Sequence, residues 1–316
     1  MRESKYGYAV ARTRAVENSL LDKNKLERLA STSSLAEALG QLADTVYGEA
    51  IAALPAPSDW ERALDAQLAR EYEFITEMGH GKEIETLRWR YDLVNLKLLL
   101  KAEKHGAEPQ KLSALGSVPP RELLEPEVLP PAWREAVQRA RQEEDPQRID
   151  FILDRALFQM ALASSDNPYL AGLWRLESDL VNITTFLRLS VLESRGENLW
   201  QEAFIPGGEL DRLEEIQPPD LEALQSALAQ TKFGALRQGL ESCRLTGSVG
   251  QWERLADDLR VEYLNRAKYI PFGPEPLVAY VLGRENEVKS LRIILAGKVN
   301  GLSDQEIGER LREVYV

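Results

Sequence analysis

The chain has 316 residues, 44% of them hydrophobic and 28% charged, with a formal net charge of −12. That make-up suits a folded protein large enough for two or three cores, whose surface as a whole repels nucleic acid and anionic lipid. No apolar run approaches the roughly 18–20 residues needed to span a bilayer, and the single cysteine, Cys243, excludes an internal disulfide and suits a reducing cytoplasm.

The opening "MRESKYGYAVARTRAVENSLL" is basic but has neither a continuous apolar stretch nor a small-residue cleavage site, so no signal peptide is expected. Next comes "AEALGQLADTVYG", ending at Gly48, which returns as "LEALQSALAQTKFG", ending at Gly234, and more loosely in the tail "SDQEIGERLREVYV". "WERALDAQLAREYEFI" from Trp60 returns as "WERLADDLRVEYLNRA" from Trp252, with "IDFILDRALFQMALASS" from Ile149 in the same slot between them. The "GHGKE" at 79–83 lacks the first glycine and the Ser or Thr of a phosphate loop and is expected to be a turn between helices. "RYDLVNLKLLLKAEKHG" from Arg90, "ESDLVNITTFLRLSVLESRG" from Glu177 and "ENEVKSLRIILAGKVNG" from Glu285 then form a third repeated pattern.

Aligned on Asp92, Asp179 and Glu287, these three copies have apolar residues at offsets +1, +4 and +8, one stripe of a helix that +7 widens. Leu96, Ile183 and Leu291 are its centre, and the helices are expected to stop near Gly106, Gly196 and Gly301. An arginine stands four residues before Asp92 and Asp179 and three before Glu287, on the same helix face. The acids therefore read first as structural and secondly as groups presented to a partner. Each unit is expected to hold an upstream helix, a turn and the acid-led helix, paired as an αα-hairpin.

The prolines sit between these segments, in clusters such as Pro119/Pro120, Pro218/Pro219 and Pro271/Pro274/Pro276, and outline helices and corners. Hairpin-bounded period-two runs are missing, so the fold is expected to be all-α: three similar helical lobes at 1–106, 107–198 and 199–316, the last with a closing C-terminal helix.

Chemistry is sparse. Two histidines and one cysteine give no metal-ligand spacing, HExxH or CxxC pair. Asp257 and Asp258 read as a solvated helix face. Lys82–Lys104 holds six basic and four acidic residues and Arg284–Lys298 four and two, whereas Glu209–Glu222 holds one and six. Mildly basic acid-led helices in an acidic molecule suit docking to other proteins.

"GRENEVKSLRIILAGKVNGLSDQEIGERLR" resembles the C-terminal signature of the C subunits of the V-type (A/V-type) rotary ATPases, relatives of the eukaryotic d subunit. "YDLVNLKLLLKA", "SDLVNITTFLRL" and the opening "YGYAVARTRAVENSLL" are similar to that family's internal and N-terminal motifs. The resemblance runs essentially end to end and is weakest over 107–147. It implies a funnel of three lobes with pseudo-threefold symmetry. It also implies a non-catalytic rotor adaptor, without cofactor or small-molecule substrate, that joins the central stalk to the membrane proteolipid ring on the cytoplasmic face. Under that reading Asp92, Asn95, Lys97, Asp179, Asn182, Arg188, Glu287 and Arg292 are candidates for the partner interface. A free cytosolic helical scaffold is the competing expectation.

Overall fold

The computed structural model describes residues 2–78, 81–109, 111–125, 127–191, 199–216 and 220–316; residues 79–80 of the turn expected at 79–83, the stop at Gly196, and Pro126, Pro218 and Pro219 lie outside them, and Lys82 and Glu83 already belong to a helix. Every regular element among the described residues is a helix. In chain order these are α1 (Arg2–Glu17), α2 (Lys23–Ala30), α3 (Leu35–Ala43), α4 (Gly48–Ala52), α5 (Trp60–Met78), α6 (Lys82–His105), α7 (Pro131–Gln142) and α8 (Pro146–Ser164). There follow α9 (Pro168–Val191), α10 (Leu199–Ala203), α11 (Leu221–Leu228), α12 (Arg237–Thr246), α13 (Gly250–Asn265), α14 (Glu275–Val299) and α15 (Asp304–Gly308).

The prolines explain several helix starts. Pro131, Pro146 and Pro168 each open a helix at its first position, where no N–H is required. Asp145 and Asn167, just before two of them, accept backbone N–H groups of the first turn. At the other end of α6, Gly106 has φ 60° and donates to the Ala102 carbonyl, as the expected stop requires.

Packing divides the chain into two compact units, Met1–His80 with Arg254–Val316, and Gly81–Glu253. In the first, α14 is the central helix, with α5, α1, α2 and α3 against it. Residues Leu277 to Arg284 of α14 are buried all round, and Val288, Leu291, Ile294 and Leu295 continue the core as the stripe predicts. Gly297 lets α15 approach, since a Cβ there would meet the Ile307 side chain at 2.7 Å. In the second unit the core gathers Leu93, Leu96 and Leu100 of α6, Trp133 and Val137 of α7, Ile149 and Leu153 of α8, and Trp174 of α9.

The hairpin expectation holds in the second repeat, where α8 and α9 pack on each other and the Phe158 ring meets that of Trp174 edge-on. Each acid-led helix also meets the upstream helix of the next repeat. α6 packs on α8, α9 reaches α13 through the hydrogen bond from Trp252 Nε1 to Thr184 Oγ1 at 2.9 Å, and α14 packs on α5. The order of pairing is thus cyclic, the last repeat closing onto the first. This is why the packing units end at 80 and 253 while the repeats read from sequence end at 106 and 198.

The other shared segment keeps its local structure in both places. After α3, Thr45 Oγ1 donates to the Leu42 carbonyl, and after α11, Thr231 Oγ1 donates to that of Leu228. Each threonine hydroxyl then accepts the N–H of a fully buried aromatic residue two positions on, Tyr47 or Phe233. The repeated "T-x-aromatic-G" is therefore a helix-ending turn that seats one ring in a core.

Candidate partner interface

Asp92 and Asn95 lie one turn apart on α6, both buried. The chain leaving α6 returns along them. Asn95 exchanges two hydrogen bonds with the backbone of Ser113, each 2.8 Å. Asp92 accepts the N–H of Ser117 at 3.0 Å and of Val118 at 3.3 Å, together with the Ser117 hydroxyl. On α9 the same construction recurs. Asn182 exchanges two 2.8 Å bonds with the backbone of Ile205, and Asp179 accepts the N–H groups of Glu209 and Leu210 at 3.0–3.1 Å. The residue before the first N–H donor is glycine both times. A Cβ on Gly116 or Gly208 would stand about 2 Å from the aspartate oxygen, so only glycine admits so short an acid.

The third acid is arranged differently. Glu287 accepts the N–H of Leu21, from the start of the chain, and the Tyr47 hydroxyl at 2.6 Å, and it pairs with Arg284. Here Leu20 stands where the other two loops have glycine. Ser290 replaces the asparagine, buried and with no hydrogen-bond partner for its hydroxyl. Arg284 is fully buried among acceptors and rings: Glu71 and Glu287 pair with it, Ser19 Oγ accepts from it at 2.7 Å, and Tyr47 and Tyr280 flank it.

Burial raises the pKa of all three acids; Asp179 is pushed up to about 6 by burial, against which the backbone N–H groups of Glu209 and Leu210 act. Lys232, which pairs with Glu209, acts on Asp179 only through space. For Glu287 burial is opposed chiefly by Arg284.

Asp92, Asn95, Asp179, Asn182 and Glu287 are therefore interior groups that fasten loops, with no surface for a partner to touch. The structural reading of the acids is the one their burial supports. Of the paired arginines, Arg284 meets Glu287, whereas Arg88 donates to the Leu115 carbonyl in the loop that Asp92 holds. The candidate cations lie elsewhere, along the cyclic helix pairs. Lys97 of α6 meets Asp154 of α8 at 2.6 Å, Arg188 of α9 meets Glu253 of α13 at 3.2 Å, and Arg292 of α14 meets Asp65 of α5. Arg188 and Arg292 are exposed and Lys97 is half-buried.

Two features escaped sequence reasoning. Val94 and Leu98, at offsets +2 and +6 from Asp92, stand exposed one turn apart on α6; two apolar residues outside the stripe were the available signal. Asp257, expected to be solvated, is buried and pairs with Arg260 at 2.7 Å, Lys289 at 2.5 Å and Arg312 at 2.8 Å. Those cations outweigh burial and lower its pKa. Two of them are distant in sequence, which is why the "DD" pair reads as a surface until the chain is folded. Among the described residues no group of three or more His, Cys, Asp or Glu is placed to hold a metal ion, and no helix is long and apolar enough to cross a membrane.

The family model described as "ATP synthase (C/AC39) subunit" matches residues 9–310. The C subunit of the A-type ATP synthase of Methanocaldococcus jannaschii is 27% identical, with 96% of this chain and 85% of that protein covered. The C subunit of the V-type sodium ATPase of Enterococcus hirae is 26% identical, with 96% of each covered. That of the A-type ATP synthase of Thermococcus kodakarensis is 26% identical, with 98% of this chain and 91% of that protein covered.

Proposed function

The chain belongs to the ATP synthase (C/AC39) subunit family, and from that premise we propose that it is the rotor adaptor of an A/V-type ATPase, joining the central stalk to the membrane proteolipid ring on the cytoplasmic face. Its relatives are subunits of rotary ATPases by name. The observation that carries the reading is the family match over nearly the whole chain, 9–310. The reading includes the funnel of three lobes, 1–106, 107–198 and 199–316, that the family resemblance implies.

The physical demand on such an adaptor is stiffness and area, not reactivity. Torque passes through a body only if its loops cannot slide on its helices. Loops fastened to Asp92, Asn95, Asp179 and Asn182 by paired backbone hydrogen bonds meet that demand. Val94 and Leu98 are apolar contacts available to the stalk, and the exposed Arg188 and Arg292 are charges that a partner could recruit from their present acids.

The test is ion pumping in vesicles beside ATP hydrolysis by the soluble head, with and without this protein. The expected result is hydrolysis that continues while pumping per ATP falls. Unchanged pumping per ATP would sink the adaptor role. A free cytosolic scaffold predicts instead that the protein stays in the supernatant when membranes containing the ring are pelleted.

A further inference from the structure

Three large aromatic residues are solvent-exposed among the described residues: Tyr8 at 69%, Tyr269 at 88% and Phe272 at 52%. All three belong to one edge of the first packing unit. Gly7 lies 3.9 Å, measured from an added Cβ, from the Phe272 ring, and Arg14 ties the 267–270 segment to α1 by donating to the carbonyls of Ala267, Lys268 and Ile270. The charged side chains within these two segments are basic. Residues 6–16 carry two arginines and no acid, and residues 263–274 carry Arg266 and Lys268 and no acid, in a chain of net charge −12. Arg12 lies over the Tyr8 ring at 5.8 Å. The acids beside this edge are Glu17, which pairs with Arg14, Glu275, whose side chain folds over Gly273, and the exposed Glu262, four residues before Arg266.

We propose that this edge is a contact for an anionic bilayer surface, with Tyr269, Phe272 and Tyr8 entering the headgroup region and Arg12, Arg266 and Lys268 facing the lipid phosphates. Tyrosine and phenylalanine flanked by Lys and Arg are the side chains that settle at a membrane–water boundary. The edge is too small to be a stable protein interface by itself. An aromatic side chain buries about 150–250 Å², so three of them fall short of the roughly 800 Å² per partner that such interfaces need. For a lipid surface the same set is sufficient as one weak anchor beside another attachment. The local excess of basic residues reverses, at this place, the repulsion that the whole-chain charge implies.

The inference rests on the proposal that the protein works beside a membrane, but its test needs neither ring nor stalk. The full chain is sedimented with vesicles of phosphatidylcholine alone and of phosphatidylcholine mixed with phosphatidylglycerol, at low and high salt. Binding is expected to the mixed vesicles, to fall with salt, and to weaken about tenfold in the Tyr269→Ser/Phe272→Ser double variant. Both residues are exposed, so thermal unfolding of that variant should match the parent. No binding to either vesicle overturns the proposal, as does binding that the double variant leaves unchanged. Sedimentation only with membranes that contain the ring would make the edge a protein contact and overturn it too. A failed pumping test with intact vesicle binding would remove the adaptor reading and leave this one standing.

Discussion

Asp179 and Glu287 occupy equivalent places yet answer to different chemistry. Glu287 has Arg284 beside it, while the hydrogen bonds to Asp179 come from backbone N–H groups. Since the Asp179 carboxyl is pushed from its ordinary 3.8 to about 6, the folded state binds its proton more readily than the unfolded chain does. Its contribution to stability therefore falls as pH rises through that window and levels off above it. Denaturant unfolding of the parent and of Asp179→Asn on both sides of the window checks this. The parent should be relatively more stable on the acid side, and a difference that ignores pH would show that Asp179 does not titrate there. The repeated acids and asparagines were visible in the sequence, but their partners were not. Besides the Ser117 and Tyr47 hydroxyls and Arg284, the partners are backbone groups 18 to 31 residues on, or at the far end of the chain, and backbone groups leave no mark in residue identity.

For the helices, the spacing of apolar residues was a sound guide because burial of a stripe is what makes a helix stay put. Leu96, Ile183 and Leu291 are all fully buried. Truncating any of them to alanine should cost about 2–5 kcal/mol. Arg292→Ala removes an exposed ion pair and should cost under about 1 kcal/mol. Thermal or denaturant unfolding that ranked Arg292→Ala above the leucine and isoleucine variants would mean the helix face is misassigned. What the stripe left out was the choice of neighbour. Its apolar offsets are the same in all three helices, so they fit the upstream helix of any repeat equally well. The choice is visible only in particular cross-helix pairs such as Lys97 with Asp154 and Arg292 with Asp65.

At the scale of the whole molecule, one packing unit is continuous in the chain, Gly81–Glu253, and the other is assembled from both ends, Met1–His80 and Arg254–Val316. Leu21 waits for Glu287, and α5 for α14. The ribosome delivers these pieces in a fixed order. The N-terminal segment emerges first, with the apolar faces of α1 and α5 lacking their central helix, and stays so while more than half the chain is made, on the order of ten seconds or longer at about 5–20 residues per second. The middle segment has all its own partners and can close as soon as Glu253 is clear. Nascent chains arrested shortly beyond Glu253 should therefore resist protease within 81–253 while residues 1–80 are still cut, and protection of 1–80 at that length would contradict this order. During those seconds the start of the protein is exposed to whatever hydrophobic surface is nearest, and nascent chains on neighbouring ribosomes carry the same unfinished half. Assembling the first unit from both ends of the chain thus makes synthesis the step most in need of a chaperone.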